Sequence, residues 1–324
     1  RVGGGGGGGT QSTIAEAGTL QMEFGSLAKD TGDEKYYVAE KFYDVLEGKA
    51  RGGMYGMGIN VQTGGLSGVV SWGASGDSAY EYFLKYYLYN PRGGKRDERL
   101  IDMYRAAVEG MKKTLIKKSA GGLTYLTDSN AARGQGGGKM EHLACFVPGL
   151  LALGALHFPD HEKAEEDLRI AEELAETCYA MYERTYTGLA PENVYFVGAQ
   201  GGTGDPKNPD FKPIASTKWN ILRPETLESL FVLYQVTGDV KYREWSWNIW
   251  QAFENHCKAP HGYGAHPDVF SPTAKCCRGN DDKQETFFMA ETIKYAYLIQ
   301  AEGFAGIDLK KYVLNTEAHP MKVG

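Results

Sequence analysis

Thr31-Gly32-Asp33-Glu34-Lys35-Tyr36 and Thr237-Gly238-Asp239-Val240-Lys241-Tyr242 are two copies of one signal. Each follows an apolar helical pattern and precedes another. The glycine ends the first helix in the left-handed conformation. The aspartate starts the second helix by accepting a backbone N–H with its carboxylate. Each copy predicts a tight helical hairpin. The copies lie 206 residues apart (237 minus 31), so further hairpins fit between them. Repeated hairpins suggest either a solenoid or a closed α/α barrel. The Gly-rich loops at 51–76, 92–95, 134–138 and 198–204 are long and irregular, where a solenoid would keep its repeat uniform. Such loops suit a toroid that builds a site on one face.

The rest of the chain agrees with the helical reading. Leu143, Phe146, Leu150 and Leu153 recur at offsets 0, 3, 7 and 10, which is one helix face. Similar patterns cover 14–29, 34–48, 77–89, 97–118, 161–185, 225–236, 239–257 and 283–302. Alternation with period two is scarce, with short β pieces near 122–127 and 193–197. The fold class reads as all-α.

Of 324 residues, 42% are hydrophobic and 23% charged, an ordinary globular balance. The net charge of -6 argues against a nucleic-acid partner, which normally meets a basic face. A neutral polar ligand such as a sugar stays open, and 21 Tyr and 5 Trp supply rings suited to sugar faces. Most such rings belong to the core. No run of 18 apolar residues exists, so no helix is expected to span a membrane. Gly3 to Gly9 can form neither helix nor packed strand; the run is a linker or a placeholder. The expected division is a Gly-rich or unassigned segment, 1–13, and one catalytic domain, 14–324. Cys145, Cys178, Cys257, Cys276 and Cys277 include no C-x-x-C, so zinc-site spacing is absent.

Acidic residues interrupt apolar helical patterns in three places. These are Asp77-Ser78-Ala79-Tyr80-Glu81, Arg223-Pro224-Glu225-Thr226-Leu227-Glu228 and Glu285-Thr286-Phe287-Phe288-Met289-Ala290-Glu291. Asp77 and Glu81 are four apart, and Glu225 and Glu228 three apart, so each pair shares a helix face. Glu225 follows Pro224, a residue suited to a first helical turn, where a carboxylate is also favoured. Carboxylates at the heads of several helices, beside aromatics, suit glycoside acid–base chemistry or a hard cation such as calcium. The bland alternative is a set of solvated helix faces. A phosphate loop, G-x-S-x-G and H-E-x-x-H are all missing.

Seven strings in order resemble the class I α-mannosidases, glycoside hydrolase family 47. They are Glu16–Phe24, Asp77–Tyr82, Lys139–Phe146, Gly188–Asn193, Leu222–Ser229, Glu285–Tyr295 and Asn315–Pro320. The resemblance implies an (α/α)7 barrel and an inverting, calcium-dependent exo-α-1,2-mannosidase that trims high-mannose N-glycans. It implies Glu225 as the base and Asp77 as the second essential carboxylate, relaying a proton or serving as an alternative base. It implies calcium on Thr316, and a sugar subsite lined by Glu16, His142, Arg223, Glu228, Phe287, Glu291 and Glu317. It implies a Cys145–Cys178 disulfide and hence the secretory lumen, in the ER or Golgi, or secretion. Cys257 with Cys276 or Cys277 is the expected second bridge. The family's general-acid glutamate lies upstream of the Glu16 string, so the barrel is expected to lack its N-terminal part here. The expected partner is a high-mannose glycan or glycoprotein, met by a monomer. A mannose-binding lectin of the same fold is the alternative.

Overall fold

The computed structural model describes residues 10–130, 137–198, 201–277 and 282–324. The glycine run 3–9, most of the 134–138 loop and part of the 198–204 loop lie outside the described residues.

Ten α-helices dominate the described residues. They are α1 (Ile14–Gly18), α2 (Gln21–Thr31), α3 (Lys41–Leu46), α4 (Asp77–Tyr89), α5 (Glu98–Thr114), α6 (Val147–His157), α7 (Ala164–Glu183), α8 (Glu225–Thr237), α9 (Lys241–His256) and α10 (Ile293–Gln300). They form two layers. The α1–α2 pair, α4, α6, α8 and α10 pack side by side in that order. Outside them, α5 backs α4, α7 backs α6 and α9 backs α8. The burial patterns explain the division. Helices α4, α6 and α8 are buried nearly all round, as a layer covered on both sides must be. Helices α5, α7 and α9 bury one face each.

Both hairpin signals work as expected. Gly32 and Gly238 close α2 and α8 at φ of 70° and 72°, and their N–H groups bond the carbonyls of Ala28 and Tyr234. Asp33 and Asp239 then accept from the N–H groups of Lys35 and Lys241, both at 3.0 Å.

Short antiparallel strands join the helical ends. β1 (Gln11–Thr13), β2 (Gly58–Asn60) and β3 (Leu66–Ser67) form one sheet, and β4 (Ile116–Lys118) pairs with β5 (Thr124–Leu126). β6 (Gly137–Glu141), β7 (Asn193–Val197) and β8 (Phe211–Pro213) form another sheet. β9 (Lys258–Ala259) pairs with β10 (Gly262–Tyr263), and β11 (Tyr312–Leu314) with β12 (Pro320–Lys322). The β11–β12 hairpin packs on α4, so its turn, residues 315–319, reaches the inner layer.

Several expectations change in detail. Residues 11–13, placed before the domain on sequence, pair with β2. The 34–48 pattern divides into a 3₁₀ turn, Glu34–Glu40, and α3. The last pattern starts late: a π-helical turn, Phe288–Thr292, leads into α10. Cys145 and Cys178 are joined, tying the 3₁₀ turn His142–Phe146 to α7. The second bridge is corrected: Cys257, Cys276 and Cys277 are free thiols. The Cys276 and Cys277 thiols instead bond the carbonyls of Lys258 and Cys257.

Candidate active site

Two inner helices open with carboxylates that meet in one cavity. Glu225 is the first residue of α8. The chain reaches it through Leu222, which holds φ of 69°, a conformation costly for a branched side chain. Asn220 secures this turn by accepting from the Leu222 N–H at 2.8 Å. Thr292 secures it by donating to the Leu222 carbonyl at 2.7 Å.

His142 Nδ1 lies 3.1 Å from Glu225 Oε2, while its Nε2 faces the Tyr182 hydroxyl at 2.8 Å and that of Thr226 at 3.0 Å. On the other side, Arg223 Nη1 is 3.6 Å from Glu225 Oε1, and the same guanidinium grips Glu192 with Nε and Nη2 at 2.7–2.8 Å. Burial pushes the Glu225 carboxyl up, but the His142 hydrogen bond and the Arg223 charge outweigh it and hold it below the usual range. That balance favours the ionised form of Glu225.

Asp77, the first residue of α4, has the opposite balance. Burial is the main cause, and the charges of Glu225 and Glu141 add to it. The Ser78 N–H and Arg223 offset them only in part, and the carboxyl is raised to about 6. Two neighbouring carboxyls pushed apart in this way can hold and accept a proton at the same pH.

The cavity, of about 180 Å³, is lined by Asp77, Ser78, Glu81, Arg223, Glu225, Glu228, Glu291, Thr316, Glu317 and the apolar Leu143, Phe146, Pro224 and Phe287. Phe287 lies under the Arg223 guanidinium, 5.7 Å from ring centre to Cζ. The floor is Thr316. Glu23 accepts from the Tyr82 hydroxyl at 2.6 Å and from Asn315 Nδ2 at 2.7 Å, and Asn315 Oδ1 accepts from the N–H groups of Glu317 and His319. Those bonds, with Lys294 donating to the Ala318 carbonyl at 2.9 Å, fix the turn that presents Thr316. Around Thr316 stand Glu81, Glu228, Glu291 and Glu317, with Lys85 as the ammonium between Glu81 and Glu228. Burial, then Glu317, Glu225 and Glu228, raise the Glu291 carboxyl to about 10. A larger depression of about 410 Å³ lies near Arg92, Arg96 and Arg99, but Arg92 and Arg99 are paired with Glu40, Asp44 and Asp97.

The sequence matches the family described as Glycosyl hydrolase family 47 over residues 4–323. The chain belongs to glycosyl hydrolase family 47. It is 39% identical over 322 residues to the human "Endoplasmic reticulum mannosyl-oligosaccharide 1,2-alpha-mannosidase", covering 97% of this chain and 44% of that protein. It is 41% identical over 330 residues to the Candida albicans "Mannosyl-oligosaccharide 1,2-alpha-mannosidase", covering 95% and 57%. The solved "alpha-1,2-mannosidase from Trichoderma reesei" superposes with a TM-score of 0.85 at 29% identity, over 98% of this chain and 67% of that one. The chain thus spans about half the length of these curated relatives.

Of the family 47 site residues expected from sequence, the cavity gathers Asp77, Arg223, Glu225, Glu228, Phe287, Glu291, Thr316 and Glu317. His142 stands behind Glu225 rather than on the cavity wall. Glu16 is not brought in. It is exposed, and its carboxylate accepts from the Ser12 hydroxyl and the Thr13 N–H, closing a capping box on α1. From the same string Glu23 reaches the floor turn instead, because the helix breaks between α1 and α2 and redirects the face. Sequence reasoning also left Lys85 out. The signal was present: Asp77, Glu81 and Lys85 follow at i, i+4 and i+8 along a helix otherwise almost wholly apolar.

Proposed function

We propose that this family 47 chain is the catalytic part of an inverting, calcium-dependent exo-α-1,2-mannosidase that removes terminal mannose from high-mannose N-glycans. The observation that carries the reading is the split between Glu225, kept ionised by His142 and Arg223, and Asp77, kept protonated up to about 6. The names of the relatives supply the sugar and linkage. Glu225 accepts a proton from the water that attacks the anomeric carbon. Asp77 holds a proton that it relays toward the departing oxygen. Inversion requires water between a base and the sugar face, with the acid on the opposite side. Phe287 offers its ring to the apolar face of the mannose, and Arg223 orients Glu225.

A hard divalent cation fits the floor. The donors there are all oxygens, and of the four carboxylates Glu81, Glu228, Glu291 and Glu317 only the first two are paired with a buried ammonium, that of Lys85. Thr316 would hold calcium by its hydroxyl and carbonyl oxygens, with the carboxylates on bound waters, and the ion would anchor sugar hydroxyls. By contrast, the convergent carboxylates Glu109, Glu166 and Asp167 already share the Lys112 ammonium. The Cys145–Cys178 bond suits the oxidising lumen of the secretory pathway. Among the described residues no helix is long and apolar enough to cross a membrane.

The test is to incubate the chain with a high-mannose glycan, with and without a calcium chelator, and weigh the products. Stepwise loss of hexose that stops with chelator and returns with calcium supports the reading, and the anomer released, read by NMR, must be β. Glycan binding with no loss of hexose, even when the chain is tested together with the upstream family segment that carries the general acid, would make it a lectin instead.

A further inference from the structure

The floor contains one cation that the reaction does not use. Lys85 lies on α4 two turns beyond Asp77, only 4% exposed. Its Nζ is 2.6 Å from Glu81 Oε1 and 2.9 Å from Glu228 Oε1, so it bridges α4 to α8 across the inner layer. On its other side the surroundings are apolar: Phe146, Leu150, Leu153, Val232, Leu309 and Leu314, with Tyr295 beside Glu228. An ammonium set between a carboxylate floor and an apolar core has no second position to move to.

The two carboxylates it holds also line the cavity, and Glu81 bonds the Thr316 side chain. Two buried carboxylates on one small charge, over a dry wall, is also how proteins seat metal ions. A looser, largely exposed case lies elsewhere: Glu109, Glu166 and Asp167 converge, and the Lys112 ammonium sits among them.

We propose that Lys85 is a positioning residue that serves as a built-in cation, occupying a second ion position beside the one at Thr316. It holds Glu81 and Glu228 by one oxygen each, while Glu81 also bonds the Thr316 side chain and Glu228 the Tyr295 hydroxyl. Its permanent single charge limits the floor to one exchangeable divalent ion. Removing that charge leaves two buried carboxylates with no counter-ion, and a metal ion is then the group available to replace it. This role of Lys85 rests on calcium at Thr316, yet it shows as a difference in ion count between two proteins and not as the number in either.

The experiment is to strip the full chain of metal and titrate it with calcium by calorimetry, counting ions bound per chain. The wild-type protein, Lys85→Gln, Lys85→Ser and Lys85→Arg are compared. The wild-type count tests calcium at Thr316; the variant-minus-wild-type count tests Lys85. Lys85→Gln and Lys85→Ser are expected to bind one ion more than wild type, and Lys85→Arg the same number. If a neutral variant is unstable without metal, its melting temperature must climb more steeply with calcium than that of wild type. An unchanged count in both neutral variants, or an extra ion in Lys85→Arg, overturns the inference even where the wild type binds calcium. A merely structural lysine would lower stability without changing the ion count.

Discussion

Glu225 and Asp77 are both carboxylates at helix heads, and their neighbours give them opposite proton affinities. A helix N-terminus favours the anion at either place. His142 bonds Glu225 and Arg223 stands beside it, while at Asp77 burial and the charge of Glu225 outweigh what Arg223 offsets. Glu225→Gln is expected to lower the mannosidase rate by roughly 10²–10⁴-fold with the melting temperature nearly unchanged, checked by kinetics and calorimetry on one preparation. If Asp77 relays a proton as proposed, the rate should fall as pH rises through about 6, while the Glu225 carboxyl is held below the usual range; a rate–pH profile checks it. Stability carries the same sign. The Asp77 carboxyl sits at about 6 when folded against 3.8 in the reference state, so its charged form is penalised above about 6 and the penalty vanishes toward 3.8. Asp77→Asn should therefore stabilise the fold at pH 7 by about 1–3 kcal/mol and gain nothing at pH 4, measured by denaturant unfolding, while losing activity.

At the scale of elements, three local devices hold the site. One is the glycine that ends α8. Gly238 has φ of 72° with open space where a Cβ would stand, so Gly238→Ala meets backbone strain and no clash. Its expected cost is about 1 kcal/mol, read from the shift in a urea midpoint. Another is the Cys145–Cys178 bond, which spans 33 residues and ties down the turn that carries His142. Replacing both cysteines by serine should cost about 3–4 kcal/mol in the chain-entropy account, checked by the same unfolding experiment under non-reducing conditions. The last is the π-helical turn Phe288–Thr292. A widened turn is common at functional sites, and here it carries Glu291 onto the cavity wall and Thr292 onto the Leu222 turn.

At the scale of the whole molecule, the floor is where distant parts of the chain depend on one another. Glu23, Tyr82 and Asn315 tie α2, α4 and the β11–β12 turn together, and Lys85 ties α4 to α8. A cation bound there binds only the folded chain. Calcium at about 100 times its dissociation constant should add about 2.7 kcal/mol of stability, seen as a melting temperature that rises with calcium and falls back with chelator. The helical class and the hairpins were legible in the sequence, because Gly238 and Asp239 act on their own neighbours within one turn. Asp77, Glu225 and Thr316 stood out in the sequence too, each in a string that carries the family resemblance, and the fold places all three on one cavity. The placement of Glu16 was not legible: the same residue suits a sugar subsite or a capping box, and only the break between α1 and α2 sets the bonds it makes here. What Lys85 and Glu23 bind was not legible for a related reason, although the helical spacing marked Lys85. Their meaning lies in partners 143 and 292 residues away along the chain, and a helix period records which face a residue takes but not what the fold brings against that face. Local chain chemistry therefore determined the elements and the residue types at their heads. The tertiary structure alone decided which carboxylate is ionised and which cation holds the floor, because burial and charge act through space.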